Sequence, residues 1–475
     1  MHASVLNREH VSRIHESSLR LLGAIGVELP HPELLGRFAD AGAQVDVEAR
    51  RVRIPAELVD RCLESCGKRF TLYGRDLQRQ AAFGVGQRNY NSIFGEANWV
   101  DELGGPRRYP RLADVDTAAR LGDALERINI VGAMTDPHGL PVPVRSLHVL
   151  QRLLRHTTKP VGFWFHDRAA TRFVLEMLVA LRGSEDAARQ YPLTFPLLEP
   201  ISPLRFPFNG LDLLFEVARL NMPVAIGPMA QMGLSAPCTI AGTLAHENAE
   251  VLAGICATQL VQPGLPVCYG GICHAFDMRT TQMIFSGPEQ AIFGVAMTQM
   301  GKHYGLPVYI NVGLTDSKRV DGQAGLESGV SLVLGAAAGA DIFGHMGISG
   351  VDQATSLDLL VFQDEVIGFA ESVLRELDFS DEALGFDASL EVGPGGSFLP
   401  LTHTAEHFRR ELWQPRLLDR DYYEAWREAG ARDTEQRCRE RRHELLATHE
   451  VPPLPDETDA ALSGIVSAAE RELLK

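Results

Sequence analysis

The chain has 475 residues, a formal charge of −16, 45% hydrophobic and 22% charged residues. That balance is ordinary for a globular protein and excludes disorder, collagen-like repeats and a disulfide scaffold. The acidic surface argues against nucleic acid or an anionic membrane as partner, and no window reaches the ~18 consecutive apolar residues of a membrane span.

The first 82 residues read as an α+β cap. Helical spacing is expected over His10–Leu22, Pro32–Ala41 and Pro55–Cys66, with a hairpin over Val45–Ile54. Cys62 and Cys66 stand four apart on one helix and read as part of its apolar face. Seven sparse cysteines and a charged N-terminal segment predict a reduced, cytoplasmic setting.

From residue 83 short apolar strands alternate with helical stretches. Strands are expected at Asn89–Phe94, Ile128–Met134, Pro160–Phe165, Leu193–Leu198, Pro223–Met229, Pro266–Ile272, Pro307–Gly313 and Asp341–Met346. Several open on proline, which is tolerated where the first strand residue need not donate to the ladder. Eight such units over about 280 residues define an α/β chain of the (β/α)8 TIM barrel class, spanning 83–372. A doubly wound sheet would need a glycine-rich phosphate turn, and neither GxGxxG nor GxxxxGK[ST] is present. Residues 373–475 are expected to form a C-terminal extension packed on the outside of the barrel. It opens with the loop Gly393-Pro394-Gly395-Gly396 and continues as polar helices over Ala405–Trp413 and Tyr422–His449.

A barrel places its active site at the C-terminal strand ends. Phe94, Trp164, Tyr269, Phe276 and Phe343 recur there, and together they allow a cage for a methylammonium cation, each face contributing ~0.5–2 kcal/mol. His274 and His345 are candidates for anchoring a carboxylate or moving a proton. Cys268, Cys273 and His274 lack a usual zinc spacing, so no metal is expected. Lys318 follows the seventh strand and invites a Schiff-base reading, as in a lyase or aldolase. Asp316 and Asp321 beside it favour an ion pair that fixes the loop.

The order of several segments resembles the trimethylamine methyltransferase family. They include Val52-Arg53-Ile54-Pro55, Tyr73-Gly74-Arg75-Asp76, Ser202-Pro203-Leu204, Ala241-Gly242-Thr243-Leu244, Tyr304-Gly305-Leu306-Pro307, Asp316-Ser317-Lys318 and the 393–396 glycine loop. The resemblance implies transfer of a methyl group from a methylated amine to the cobalt of a corrinoid (cobalamin) carried by a partner protein. Trimethylamine members hold pyrrolysine just before the segment that here begins at Thr315, and Leu314 occupies that place. A branch without pyrrolysine acts on quaternary amines such as glycine betaine, and the resemblance implies that substrate class.

On this reading Leu314, Asp316 and His345 stand at the reaction centre. Phe94, Trp164, Tyr269, His274, Phe276, Asn311, Gln323 and Phe343 are the substrate-binding candidates, and Gly393, Gly395 and Gly396 would meet the corrinoid. Ser397 replaces a histidine that relatives often carry before Phe398. A homo-oligomer is the default for such barrels, and a non-catalytic betaine-binding barrel is the remaining alternative.

Overall fold

The computed structural model describes residues 1–475. Eight short parallel strands form its centre: β1 Asn89–Ser92, β2 Val131–Gly132, β3 Val161–Gly162, β4 Leu197–Leu198, β5 Val224–Ile226, β6 Val267–Gly271, β7 Val308–Asn311 and β8 Ile342–Met346. Strands β4-β5-β6-β7-β8-β1 make one sheet in that order, and β2 pairs with β3. A parallel bridge from Asn91 to Ile130 joins β1 to β2. Val161 N–H donates to the Leu193 carbonyl (3.2 Å), tying β3 to the approach of β4. The ring closes, and the chain is a (β/α)8 barrel.

Helices follow the strands where the apolar periodicity changes from 2 to 3.6. Those after β5, β7 and β8 run over Ile240–Val261, Gly322–Ala338 and Leu357–Val373. Their first turns are capped by the side chains of Thr239, Asp321 and Ser356, each accepting an otherwise orphaned N–H. The helical stretch after β4 is broken into Phe208–Asp212, Leu214–Val217 and a 3-10 turn at Ala218–Leu220.

Helix Ile240–Val261 is buried on nearly all sides. The barrel covers one face, and N-terminal helices Arg8–Ala24, Pro32–Asp40 and Ala56–Ser65 cover the other. This explains why its apolar residues lie on all sides and why even Glu247, Asn248 and Glu250 are buried. The expected hairpin is present at Gln44–Asp46 and Arg51–Arg53, joined by Val27–Glu28. These elements share one apolar core with the barrel, so the cap is built onto it.

A second, smaller core fills the barrel itself: Ile130, Phe195, Ala225, Cys268, Tyr309 and Ile342 from the strands, with Leu72 and Phe83. Leu72 and Phe83 come from a hairpin of Phe70–Tyr73 and Gln80–Phe83. The hairpin plugs the N-terminal end, where Gly84 N–H donates to Asp341, the residue before β8. Only the C-terminal end is left for a ligand.

The extension departs from the expected pattern. Its helices are Asp381–Leu384, Phe386–Val392, Thr402–Glu411, Tyr423–Glu428, Thr434–Thr448 and Asp456–Leu473. The long helix expected over Tyr422–His449 is interrupted at Gly430, whose φ of 99° is left-handed. The last two helices pack on the outside of the barrel. Thr434–Thr448 lies on Leu357–Val373, and Asp456–Leu473 on the helices after β2 and β3. Glu435 accepts from Arg319 (2.8 Å) and from Val320 N–H (3.2 Å), so the extension pins the loop after β7. No helix is long and apolar enough to cross a membrane.

Candidate active site

At the C-terminal mouth the strands deliver a run of polar side chains without partners. Tyr309, on β7, points into the barrel, and its hydroxyl is hydrogen-bonded to His345 Nε2. A Cβ on Gly344 would lie 2.5 Å from Asn91 Oδ1 and 2.6 Å from the Tyr309 hydroxyl. The absence of a side chain there is what lets these two groups converge. Asn91 Oδ1, Asn311 Oδ1, Gln290 Oε1 and both ring nitrogens of His274 are buried without a hydrogen-bond partner. Native proteins rarely leave such atoms unmatched, and a cluster of them marks a ligand site.

His274 stacks on Phe285 (4.8 Å between centroids). Its strand is anchored by buried Glu247, which accepts from Ala230 N–H and Ile272 N–H, both at 3.0 Å. Burial holds the His274 and His345 rings down to about 3, so both are neutral at physiological pH. Each neutral imidazole keeps one N–H donor and one acceptor.

Phe94 is the aromatic centre of the well. Its ring meets Trp164, Phe195 and His345, each at a centroid distance of 5.8 Å. The Trp164 Nε1–H donates to the Gly95 carbonyl (2.8 Å), which fixes the half-exposed indole beside Phe94.

Three carboxyl groups complete the mouth. Glu96 follows β1, Glu199 follows β4, and Asp352 lies in the turn after β8. Val351 and Asp352 are both left-handed, φ 58° and 54°. A β-branched residue pays heavily in that region, so the turn holds Asp352 in the mouth against local preference. The Glu96 and Asp352 carboxyls are within hydrogen-bonding reach of each other. Burial, then the neighbouring carboxylate, pushes Glu96 well above the usual range, and burial raises Asp352. They share a proton, and Glu96 holds it longer. Glu199 stays open to solvent although protein walls surround it, and burial followed by the Asp352 charge raises it to about 7. The ion pairs at this end, Asp136 with Arg145 and His166, involve none of the three. An acidic cluster with no basic partner favours a cation.

The expected site residues divide. Phe94, Trp164, His274, Asn311 and His345 come together at the mouth. Phe276 is half-buried on the short hairpin Gln282–Ile284 with His274–Asp277. Tyr269 and Phe343 turn the other way and are corrected to the helix layer. Tyr269 donates to Asn248 Oδ1 (2.8 Å), and Phe343 stacks on Tyr90 (5.2 Å). Gln323 is exposed on the first turn of helix Gly322–Ala338, bonded to Glu327. Leu314 is wholly buried in apolar core, its carbonyl accepting from Ser286 and Ser328. Asp316 accepts from Phe285 N–H (3.3 Å), supporting the ring under His274. Gly393 and Gly395 lie on an exposed loop where a Cβ would meet nothing within 4 Å, and Gly396 approaches only Val392.

The ion pair expected of Lys318 is also corrected. Its Nζ donates to the Asp316 backbone carbonyl (2.8 Å), while Asp321 caps the next helix by accepting from Ala324 N–H. The loop is held by helix capping and by Glu435, and Lys318 is left exposed. Cys268 belongs to the core inside the barrel and Cys273 to the larger outer core, so the two are separated. Glu96, Glu199, Asp352, Asn91 and Tyr309 were absent from the expected site. For the two glutamates, position at a strand end was the available signal.

The class defined by this fold is a (β/α)8 barrel with a closed floor and a candidate site, lined by carboxyl and aromatic groups, at its C-terminal mouth. The trimethylamine methyltransferase (MTTB) description matches residues 1–473. A glycine betaine methyltransferase from Desulfitobacterium hafniense is 31% identical over 472 residues, covering 99% of this chain and 98% of its own. A trimethylamine methyltransferase from another strain of that species is 30% identical over 465 residues, covering 98% and 93%. Among solved structures, the Methanosarcina barkeri monomethylamine methyltransferase aligns over 99% of this chain and 95% of its own, with 11% identity and a TM-score of 0.47. The chain belongs to the trimethylamine methyltransferase family, and it is a methyltransferase.

Proposed function

We propose that this methyltransferase takes a methyl group from a quaternary amine of the betaine type and delivers it to the Co(I) of a corrinoid carried by a partner protein, without pyrrolysine. The observation that carries this reading is the partnerless carboxyl cluster beside the Phe94 and Trp164 rings. Carboxylates and aromatic faces are the two protein groups that attract a cation which cannot donate a hydrogen bond. Such a cation needs no proton to become a leaving group. As the C–N bond breaks, its electron pair stays on nitrogen and a neutral tertiary amine departs. Co(I) supplies the electron pair for the new bond to the methyl carbon.

The chain's own residues bind, orient and exclude water. Trp164 and Phe94 offer faces to the ammonium, while Asp352 and Glu199 offset its charge. The His274 and His345 N–H groups are donors for a betaine carboxylate. Leu314 contributes only apolar bulk, which suits a substrate that requires no covalent activation.

The test is reaction of the enzyme with Co(I) corrinoid protein and glycine betaine, proline betaine, carnitine, γ-butyrobetaine or choline. Loss of the Co(I) absorbance with formation of demethylated amine is expected for at least one of them. No turnover across the panel overturns the proposal. Lys318→Ala is expected to leave turnover within about twofold of wild type, since an exposed lysine away from a charge network contributes little. A covalent adduct at Lys318 on borohydride treatment would instead support lyase chemistry.

Binding should also respond to pH. Glu199, at about 7, and the raised Asp352 lose protons as pH increases, so the mouth becomes more negative. Calorimetric titration with choline is expected to show affinity rising from pH 5.5 to 8. A flat profile would remove the carboxyl groups from the binding site.

A further inference from the structure

Residues 377–428 leave the barrel as an arm with almost no interior of its own. The arm follows helix Leu357–Val373 and holds helices Asp381–Leu384, Phe386–Val392, Thr402–Glu411 and Tyr423–Glu428. The longest has ten residues, and isolated helices below about 12–15 residues are marginal in water. Packing must sustain them, yet only Ala388 and Leu417 are buried in this stretch. Leu417 is buried at the root, where Glu365 of the barrel helix accepts the N–H groups of Arg416 and Leu417.

The apolar side chains that should form an interior face outward. Phe379, Leu384, Phe386, Leu390, Leu399 and Tyr422 are 64–91% exposed. At about 200 Å² each they show on the order of 900 Å². Leu384, Phe386 and Leu401 line a cleft of about 800 Å³ between the arm's helices.

A second face of the same molecule matches it. Helix Gly322–Ala338 carries Leu326, Val330 and Leu334 on its solvent side, spaced i, i+4, i+8 and 66%, 50% and 38% exposed. The outer face of a surface helix is ordinarily polar. Exposed Phe369 and Val373 on the adjoining helix connect this row to the root of the arm.

We propose that the arm of one copy covers helix Gly322–Ala338 of a second copy, each copy giving and receiving an arm about a two-fold axis. Three arguments select this occupant. The exposed apolar side chains of the arm together offer an area of the order of the roughly 800 Å² per partner that a standard stable interface buries. One chain supplies both complementary faces, as a two-fold interface requires. The arm needs its partner continuously to stay helical, and a carrier protein that docks and leaves in each cycle does not provide that. A second copy does.

Sedimentation velocity of the full chain at micromolar concentration is expected to show a dimer, or an assembly of dimers. Leu326→Glu with Val330→Glu on the helix, and separately Phe386→Glu with Leu390→Glu on the arm, should each shift the population to monomer. A wild-type monomer overturns the proposal. So does retention of the wild-type mass by either variant, because that places the contact elsewhere. A measurement without substitutions guards against variants that misfold. Amide exchange in residues 381–428 should accelerate at least tenfold on dilution from micromolar to low nanomolar protein, while helix Ile240–Val261 is unchanged. Concentration-independent protection of the arm, or protection that appears only when a corrinoid protein is added, overturns it.

Discussion

Replacing Glu199 by Gln and Asp352 by Asn together is expected to weaken binding of a quaternary ammonium by about tenfold, because Glu199 is open to solvent and Asp352 half-buried, and a solvent-screened charge pair contributes only ~0.2–1 kcal/mol. The same double variant should be more heat-stable than wild type at pH 8. The folded-state pKa of Glu199 is raised from the ordinary 4.5 to about 7, and that of Asp352 is raised in the same direction. Between about pH 4.5 and 7 the native state therefore holds protons that the unfolded chain has released. Native stability falls across that window and stays reduced above it. Amides cannot ionise, so the gain should be present at pH 8 and absent at pH 4.5. Thermal melts at the two pH values, paired with calorimetric binding, separate the effects. Weaker binding without the pH-dependent gain in stability would show that the carboxyls are already paired with a cationic group of the protein.

Gly162→Ala is expected to damage both the fold and the well. A Cβ there would fall 2.0 Å from Phe94 Cε1 and 2.2 Å from Cδ1, and the ring is held by Trp164, Phe195 and His345. Overpacking of this kind costs ~1–3 kcal/mol, and the displaced ring would no longer present its face to the cation. Denaturant unfolding should report the first loss and substrate titration the second. Gly464→Ala is the control. It lies in helix Asp456–Leu473 with nothing within 4 Å of its Cβ, and alanine there should be neutral or stabilising. Wild-type stability and binding in Gly162→Ala would mean that Phe94 is free to move.

The barrel was legible because proline or glycine marks most strand entrances and the period changes after them. The site was less legible. Strand alternation assigns Tyr269 to one face or the other only once the register is known, and here it faces the helices. Phe343 and His345 should share a face by parity. A register irregularity between Phe343 and Met346 turns them apart, leaving Phe343 in the outer core and His345 in the well. No residue pattern announces such a shift. Glu96 and Glu199 sit at strand ends visible in the sequence, but a lone glutamate there resembles any solvated one. Their meaning comes from Asp352, which a strained turn brings to them. The arm was hidden for the opposite reason: its many charges suggested a solvated tail, and its large apolar residues stand out only when nothing is seen to cover them.

The clamp from Glu435 to Arg319 and Val320 joins residues 116 and 115 positions apart, which gives the molecule an order of assembly in time. The loop after β7 that carries Leu314 and Asp316 emerges from the ribosome well before its fastener. At about 5–20 residues per second, the nascent barrel waits on the order of ten seconds with that loop untied. The active site is therefore among the last parts of the molecule to be finished during synthesis, and a chain released before residue 435 would have all eight strands and an unfastened mouth.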